Sequence, residues 1–259
     1  MLIDTHVHLN NERLLPDVEK VIQKAKTAGV AKFFVVGWDV ESSKTAIKLA
    51  ETYEEVYAIV GIHPSDSVEY ESSVLDEIEK MLNHEKVIAV GEIGLDYHWI
   101  KDEGGRSKQR EFFIAQIKLA NKYNLPVSIH MRDAAKDTYD ILEKHRPKKG
   151  GVMHCYSSSV EMAEMFINLG MYISLGGPVT FTNAKMPKRV ASQVPLDKLV
   201  IETDAPYLTP HPYRGKLNEP ALLPLIAKQI AKIKNVSYEE VIKRSSENAI
   251  RLFRVKQNA

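Results

Sequence analysis

Short β-rich runs alternate with helix-period segments along nearly all of this chain, and eight such runs stand out. They are 2–9 (LIDTHVHL), 32–38 (KFFVVGW), 56–62 (VYAIVGI), 87–93 (VIAVGEI), 126–131 (PVSIHM), 151–156 (GVMHCY), 172–176 (YISLG) and 199–204 (LVIETD). Most are apolar at consecutive positions, the pattern of strands covered on both faces. Between them lie amphipathic stripes. Val18, Val21, Ile22 and Ala25 follow i, i+3, i+4, i+7 spacing, with Gly29 as a stop signal. Leu75, Ile78 and Leu82 form a second stripe and Phe113, Ile117 and Ala120 a third. Ser237 and Glu240 have capping-box spacing ahead of the last helical region. Strict alternation of this kind predicts βαβ units and a parallel sheet. Eight strands within the first 204 residues predict a (β/α)8 TIM barrel, one domain over 1–259, in preference to an open doubly wound sheet.

If the runs form a barrel, their carboxyl ends converge on one rim, where this architecture keeps its chemistry. His6 and His8 share a face of the first strand, because residues two apart point the same way. Glu92 closes the fourth strand, His130 the fifth; His154 lies on the sixth, and Glu202-Thr203-Asp204 end the eighth. Burying that many imidazoles and carboxylates around one axis without a cation is costly in desolvation and repulsion. The set His6, His8, Glu92, His130, His154 and Asp204 therefore reads as metal ligands. Six ligands exceed one tetrahedral ion and suit two divalent ions sharing a bridge. The expected partition gives one ion His6, His8, Glu92 and Asp204, and the other Glu92, His130 and His154. Two ions roughly 3.5–4 Å apart would share and acidify a water, with Asp204 orienting it and accepting its proton. The ion itself is left open among Mg²⁺, Zn²⁺ and Mn²⁺. Glu202 and Asp4 each have two readings: an outer acceptor for a ligand histidine, or a hydrogen bond inside the barrel.

Other chemistries lack their residues. There is no GxSxG elbow and no Walker loop. The single cysteine, Cys155, follows His154 and on a continuing strand would point to the opposite face as a buried thiol. It precludes an intrachain disulfide, which suits a reducing compartment. No apolar run reaches the roughly 18–20 residues that span a bilayer, and no secretory leader is visible. A soluble cytoplasmic protein without a membrane partner is expected. The formal net charge is only +1, so a polyanion would have to be drawn by a local patch.

The opening DTHVHLN resembles the HxH of the amidohydrolase class of metal-dependent barrels. GEIGLDY (91–97), IHMRDA (129–134), HCYS (154–157), SLGGPVTF (174–181), ETDAPYLTPHPYRGKLNEP (202–220) and SENAIRLF (246–253) narrow the resemblance to the TatD family of metal-dependent deoxyribonucleases. It runs from residue 1 to about 254. One departure is Tyr156-Ser157-Ser158, where members often carry an aromatic, Ser or Thr, then Gly. The resemblance implies a two-metal barrel that hydrolyses DNA phosphodiesters, often as a 3′→5′ exonuclease, with the six residues above as ligands. DNA is then the expected partner, and no protein partner is implied.

Rim cations fit phosphate capture: Arg132, the group Arg106, Lys108 and Arg110, the group Lys185, Lys188 and Arg189, and Arg214 with Lys216. Arg132 and Arg214 lie inside motifs and are the expected substrate contacts, with His63 as a phosphate donor at the third strand end. Trp38, Tyr97 and Trp99 are candidates to stack bases. Two rivals stay open. One is a small-molecule amidohydrolase, lactonase or phosphotriesterase with a closed apolar pocket. The other is an inactive barrel that only binds, which would be expected to have lost ligands.

Overall fold

The computed structural model describes residues 1–256; the last three residues of the expected 1–259 domain lie outside those described. Eight parallel strands pair in chain order: β1 Leu2–Val7, β2 Val30–Val36, β3 Val56–Val60, β4 Val87–Asp96, β5 Val127–Arg132, β6 Gly151–Met153, β7 Met171–Leu175 and β8 Leu199–Ile201. Helices separate them: α1 Val18–Thr27, α2 Val40–Thr52, α3 Pro64–Ser67, α4 Val74–Met81, α5 Glu103–Tyr123, α6 Ala135–Lys144, α7 Val160–Asn168 and α8 Lys185–Gln193. Two more, α9 Leu223–Lys234 and α10 Tyr238–Phe253, follow the last strand.

The sheet closes nearly into a ring. Thr5 Oγ1 donates to the Ile201 carbonyl at 3.0 Å. The amides of Asp204 and His8 donate to the carbonyls of His6 and Ala205 at 2.9 and 2.8 Å. This is the (β/α)8 barrel, and the doubly wound alternative falls, since an open sheet leaves β1 and β8 apart. Inside it, Ile3, Phe34, Ile59, Ala89, Val152 and Val200, from six strands, share one buried cluster with Leu252 and Phe253 of α10. Side chains from so many strands meet only in the interior, so α10 stoppers the amino end of the barrel. Its Ser246 hydroxyl donates to the Met1 carbonyl at 2.7 Å. The helices cover the outer face with the larger cluster, including Phe33, Phe113, Phe166 and Ile226.

Local signals act as expected, with one half-measure. Gly29 stops α1 at φ +92°, a conformation L side chains rarely adopt. Ser237 Oγ accepts the Glu240 amide at 3.0 Å. The Glu240 carboxylate instead takes Arg244 Nε at 2.8 Å, so only half of the capping box forms.

Strand ends differ from expectation where the site lies. β4 continues past 93 to Asp96. β6 stops at Met153 and β8 at Ile201. His154, Glu202 and Asp204 therefore sit just beyond their strands. Their backbones still track the neighbouring strands, as His154 N donates to Ile129 O at 3.0 Å and Glu202 N to Leu175 O at 3.3 Å.

Candidate active site

Local geometry on β4 and β5 brings the first groups together. Gly94 has φ +143°, and a Cβ there would lie 2.0 Å from the His130 carbonyl oxygen. Only glycine lets the two strands approach this closely beside Glu92.

All six expected ligands meet at the carboxyl end of the barrel, arranged on the two sides of Glu92. Its Oε2 lies 3.4 Å from His6 Nε2 and 4.0 Å from His8 Nε2. Asp204 Oδ1 completes that side, 3.4 Å from His8 Nε2 and 3.8 Å from His6 Nε2. The other oxygen, Oε1, lies 2.7 Å from His130 Nδ1 and 2.8 Å from His154 Nε2. His63 Nε2 stands on this second side as well, 3.6 Å from Oε1.

The second nitrogen of each ring tells what the first offers. His8 Nδ1 meets the Val36 carbonyl at 3.0 Å. A carbonyl only accepts, so Nδ1 donates and Nε2, facing Asp204 and Glu92, is the nitrogen free to trade its proton for a cation. His154 Nδ1 donates to Glu202 Oε1 at 3.2 Å, and His130 Nε2 to Asp96 Oδ2 at 3.0 Å. The other nitrogen of each ring faces Glu92 Oε1, to which it donates when the ring is protonated, and it is the atom that would turn a lone pair to a cation once that proton leaves. His63 is the reverse: its Nδ1 accepts the Ser65 amide at 3.2 Å. Its inward Nε2 is therefore a donor, which separates it from the ligands although it shares a metal-sized cluster with Glu92 and His130.

Charge follows the same plan. Burial works against the Glu92 anion, yet His154, His63 and His130 hold its carboxyl well below the usual range. Burial likewise opposes the Asp204 anion, and His8 outweighs it to lower the pKa. Burial pushes His6 down. His8, His130 and His154 are raised, burial being outweighed by Asp204, by Asp96 with Glu92, and by Glu92 with Glu202 respectively. Two ionised carboxylates ringed by imidazoles make a set that could hold a cation, which would displace the protons these rings share with Glu92 and Asp204. His6 supplies the test of fit. Both its ring nitrogens are buried without a hydrogen-bond partner. Leaving them so is costly, and a cation on Nε2 would remove that atom's share of the cost.

Asp96 is the acceptor that sequence reasoning missed. It is 2 % exposed, and its Oδ1 also takes the amides of His98 and Trp99 at 3.0 and 3.1 Å. The available signal was its position four residues beyond Glu92, on the same face if the strand continues. Glu202 takes its outer-acceptor reading toward His154 and further accepts the Cys155 amide at 2.6 Å and the Ser174 hydroxyl at 2.5 Å. Asp4 takes the interior reading. It accepts the Thr203 amide and hydroxyl at 2.9 and 2.5 Å and touches no imidazole. Burial pushes its carboxyl up to about 8.

A cleft of about 580 Å³ opens over the set, lined by Trp38, His63, Trp99, Arg132 and Tyr207 among others. A pocket of about 440 Å³ adjoins it, sharing His130, Arg132, His154, Asp204 and Tyr207. Arg132 lies over the Trp99 ring at 5.5 Å, and Trp38 meets the His8 ring edge-on at 5.5 Å.

Several expected substrate contacts are elsewhere. Arg214 stacks on Phe181 at 4.0 Å and lines neither space. Arg106 covers the Tyr97 ring at 4.5 Å, and Arg110 pairs with Glu103. Tyr97 is buried, its hydroxyl donating to Asp137 at 2.7 Å. The Cys155 reading is also corrected. With β6 ended, Cys155 adopts φ +42° and lines the pocket beside His154 instead of pointing away.

Residues 3–254 match the family described as TatD related DNase. An uncharacterized metal-dependent hydrolase of Bacillus subtilis strain 168, YabD, is 46% identical over 98% of this chain and 100% of its own. A Mycobacterium tuberculosis relative, the uncharacterized metal-dependent hydrolase TatD, is 35% identical over 97% of both chains. The crystal structure of YjjV, a TatD homologue from Escherichia coli K12, superposes with a TM-score of 0.93 at 32% identity, covering 98% of each chain.

Proposed function

The chain belongs to the TatD family and is a metal-dependent hydrolase, and from that premise we propose that it is a deoxyribonuclease acting at DNA ends with 3′→5′ polarity. The observation that carries this reading is the open cleft over the ligand set. It presents a guanidinium, a fixed imidazole N–H and several aromatic rings on one wall-to-wall surface. Phosphates need donors and cations, and splayed bases need aromatic faces.

Two divalent ions, drawn from Mg²⁺, Zn²⁺ and Mn²⁺, suit the two sides of Glu92. His6, His8 and Asp204 would hold one, His130 and His154 the other, with Glu92 between. Bound there, such ions supply Lewis acidity to a phosphate and acidify a water. The protein's own groups do the rest. Asp204, kept ionised, orients the attacking water and takes its proton. His63 Nε2–H and the Arg132 guanidinium hold non-bridging phosphate oxygens, neutralising the charge that builds there. Trp38, Trp99 and Tyr207 face the flanking nucleosides. Glu202 and Asp96 keep His154 and His130 in the required tautomers. Hydrolysis of this kind, with one reduced cysteine and no membrane-length helix among the described residues, fits work in the cytoplasm.

A second reading rests on the adjoining pocket, whose Leu175, Pro178, Val179 and Leu208 walls suit a compact apolar ester, lactone or amide. End-labelled single-stranded DNA offered to metal-stripped protein, titrated with Mg²⁺, Mn²⁺ or Zn²⁺, separates the two. Laddering from the 3′ end, abolished in Asp204→Ala, supports the nuclease. Absence of cleavage with every metal overturns it and leaves the small-molecule hydrolase.

A further inference from the structure

At the opposite end of the barrel from Glu92 and the imidazoles around it, the loops before β6 and β7 and the end of α10 line a concavity of about 300 Å³. Arg146, Lys148, Lys149, Arg251 and Arg254 line it, with Tyr172 as an aromatic wall and no carboxylate on its surface. Lys198 lies behind, its ammonium 5.1 Å from the centre of the Tyr172 ring.

This collection is concentrated: five cations line one hollow. Some cations elsewhere are matched, among them Lys20 with Asp17, Lys26 with Glu55, Lys44 with Glu41 and Arg244 with Glu240; what sets the hollow apart is five cations on one small surface that carries no carboxylate. None of the five concavity cations is ion-paired among the described residues. The whole chain has a formal charge of only +1, so the remainder is net negative while this hollow is strongly positive. Arg146 has a structural task as well, donating from Nε and Nη2 to the carbonyls of Leu169 and Asn168 at 3.1 and 2.9 Å. That anchors its guanidinium against the loop. Lys148, Lys149, Arg251 and Arg254 have no such task, and like charges crowded together oppose folding unless something offsets them.

The hollow is also built closely. Gly150 has φ +67°, and a Cβ there would lie 2.5 Å from the Gly170 carbonyl oxygen. The two loops thus meet only because glycine stands at 150.

We infer that this concavity binds a compact polyanion carrying two or more linked phosphates, such as the diphosphate of a nucleotide. Its volume suits a small ligand and not a nucleic-acid strand, which needs an extended track. Several point charges around one hollow match several adjacent phosphate charges better than a single carboxylate. The site is separate from the hydrolytic cleft and stands whether or not DNA is the substrate.

The test is calorimetric titration of the metal-loaded protein with ADP, pyrophosphate and adenosine, in low salt. ADP and pyrophosphate are expected to bind with a component that weakens at least tenfold in Lys148→Glu/Arg251→Glu. Lys149→Ala/Arg254→Ala should weaken it several-fold. The control Lys118→Glu/Lys232→Glu, on exposed helix faces elsewhere, should leave it intact, and adenosine should not bind there. Metal content equal to wild type shows that each variant is folded at the other end. An ADP titration identical in wild type and both pocket variants overturns the proposal. So does an oligonucleotide that needs these cations while ADP and pyrophosphate do not.

Discussion

Replacing Asp96 with asparagine should do more harm than replacing it with alanine, and the hydrogen bonds say why. Asp96 Oδ1 accepts two backbone amides, from His98 and Trp99, while Oδ2 accepts from His130 Nε2 at 3.0 Å. In Asp96→Asn the amide oxygen must stay on the backbone side, because the alternative puts an NH₂ against two N–H groups. The NH₂ then faces His130 Nε2 and forces that nitrogen to accept. Its proton moves to Nδ1, the atom that turns toward Glu92 Oε1, and the lone pair meant for a cation is lost. Loss of an outer acceptor typically lowers metal affinity roughly 10–100-fold. A reversed tautomer should sit at or beyond the upper end, a loss of about 2.8 kcal/mol or more at tenfold per 1.4 kcal/mol. Asp96→Ala leaves room for water to accept and should stay near the lower end. Dialysis against graded chelator, followed by elemental analysis, reads both variants. The expected result is one ion per chain released early, from the His130 side, with the other retained, and His130→Ala as the limiting case. Equal behaviour of the two Asp96 variants would refute the tautomer argument. Simultaneous loss of both ions would refute the partition about Glu92.

Three further expectations follow from other contacts. His63→Ala should keep its full metal content yet hydrolyse roughly 10²–10³-fold more slowly, the usual cost of losing a transition-state donor; loss of metal instead would make His63 a ligand. Phe34 is fully buried with its ring 4.9 Å from that of Phe253, so Phe34→Ala should cost about 3–5 kcal/mol. For a chain of this size that lowers Tm by roughly 6–20 °C, and a calorimetric change under about 2 °C would sink the stopper role of α10. Burial, aided by Asp204 and Glu202, pushes the Cys155 thiol well above its ordinary value. A raised pKa leaves the thiol protonated at neutral pH, so metal-free protein should react with iodoacetamide roughly tenfold more slowly than free cysteine at pH 8 and accelerate only in alkali; brisk alkylation at pH 8 would contradict it.

The barrel and the convergence of the six candidate ligands were legible because both are consequences of topology. A parallel ring sends every carboxyl end to the same rim, so strand order alone aims His6, His8, Glu92, His130, His154 and Asp204 together. What was missed lies where strand length or backbone conformation decides. Asp96 belongs to the site only because β4 runs three residues past Ile93. Cys155 faces the pocket only because β6 stops at Met153, which cancels the alternation its outward reading relied on. Arg214 lies in a rim motif, but a motif does not say which way a long side chain turns, and Phe181 takes it. The tautomer of His63 rests on one amide, that of Ser65, two residues on.

The hydrogen bonds that join the first strand to the residues after the last also set a timetable for synthesis. His6 and Asp204, whose side chains stand 3.8 Å apart, leave the ribosome separated by almost the whole length of the barrel. At about 5–20 residues per second that interval is roughly 10–40 s. During it the growing chain holds His6 and His8 without Asp204, the last carboxylate of their side, and α10 has not yet filled the barrel's amino end. On the proposed mechanism, a nascent chain that stops short of Asp204 is therefore hydrolytically silent by construction.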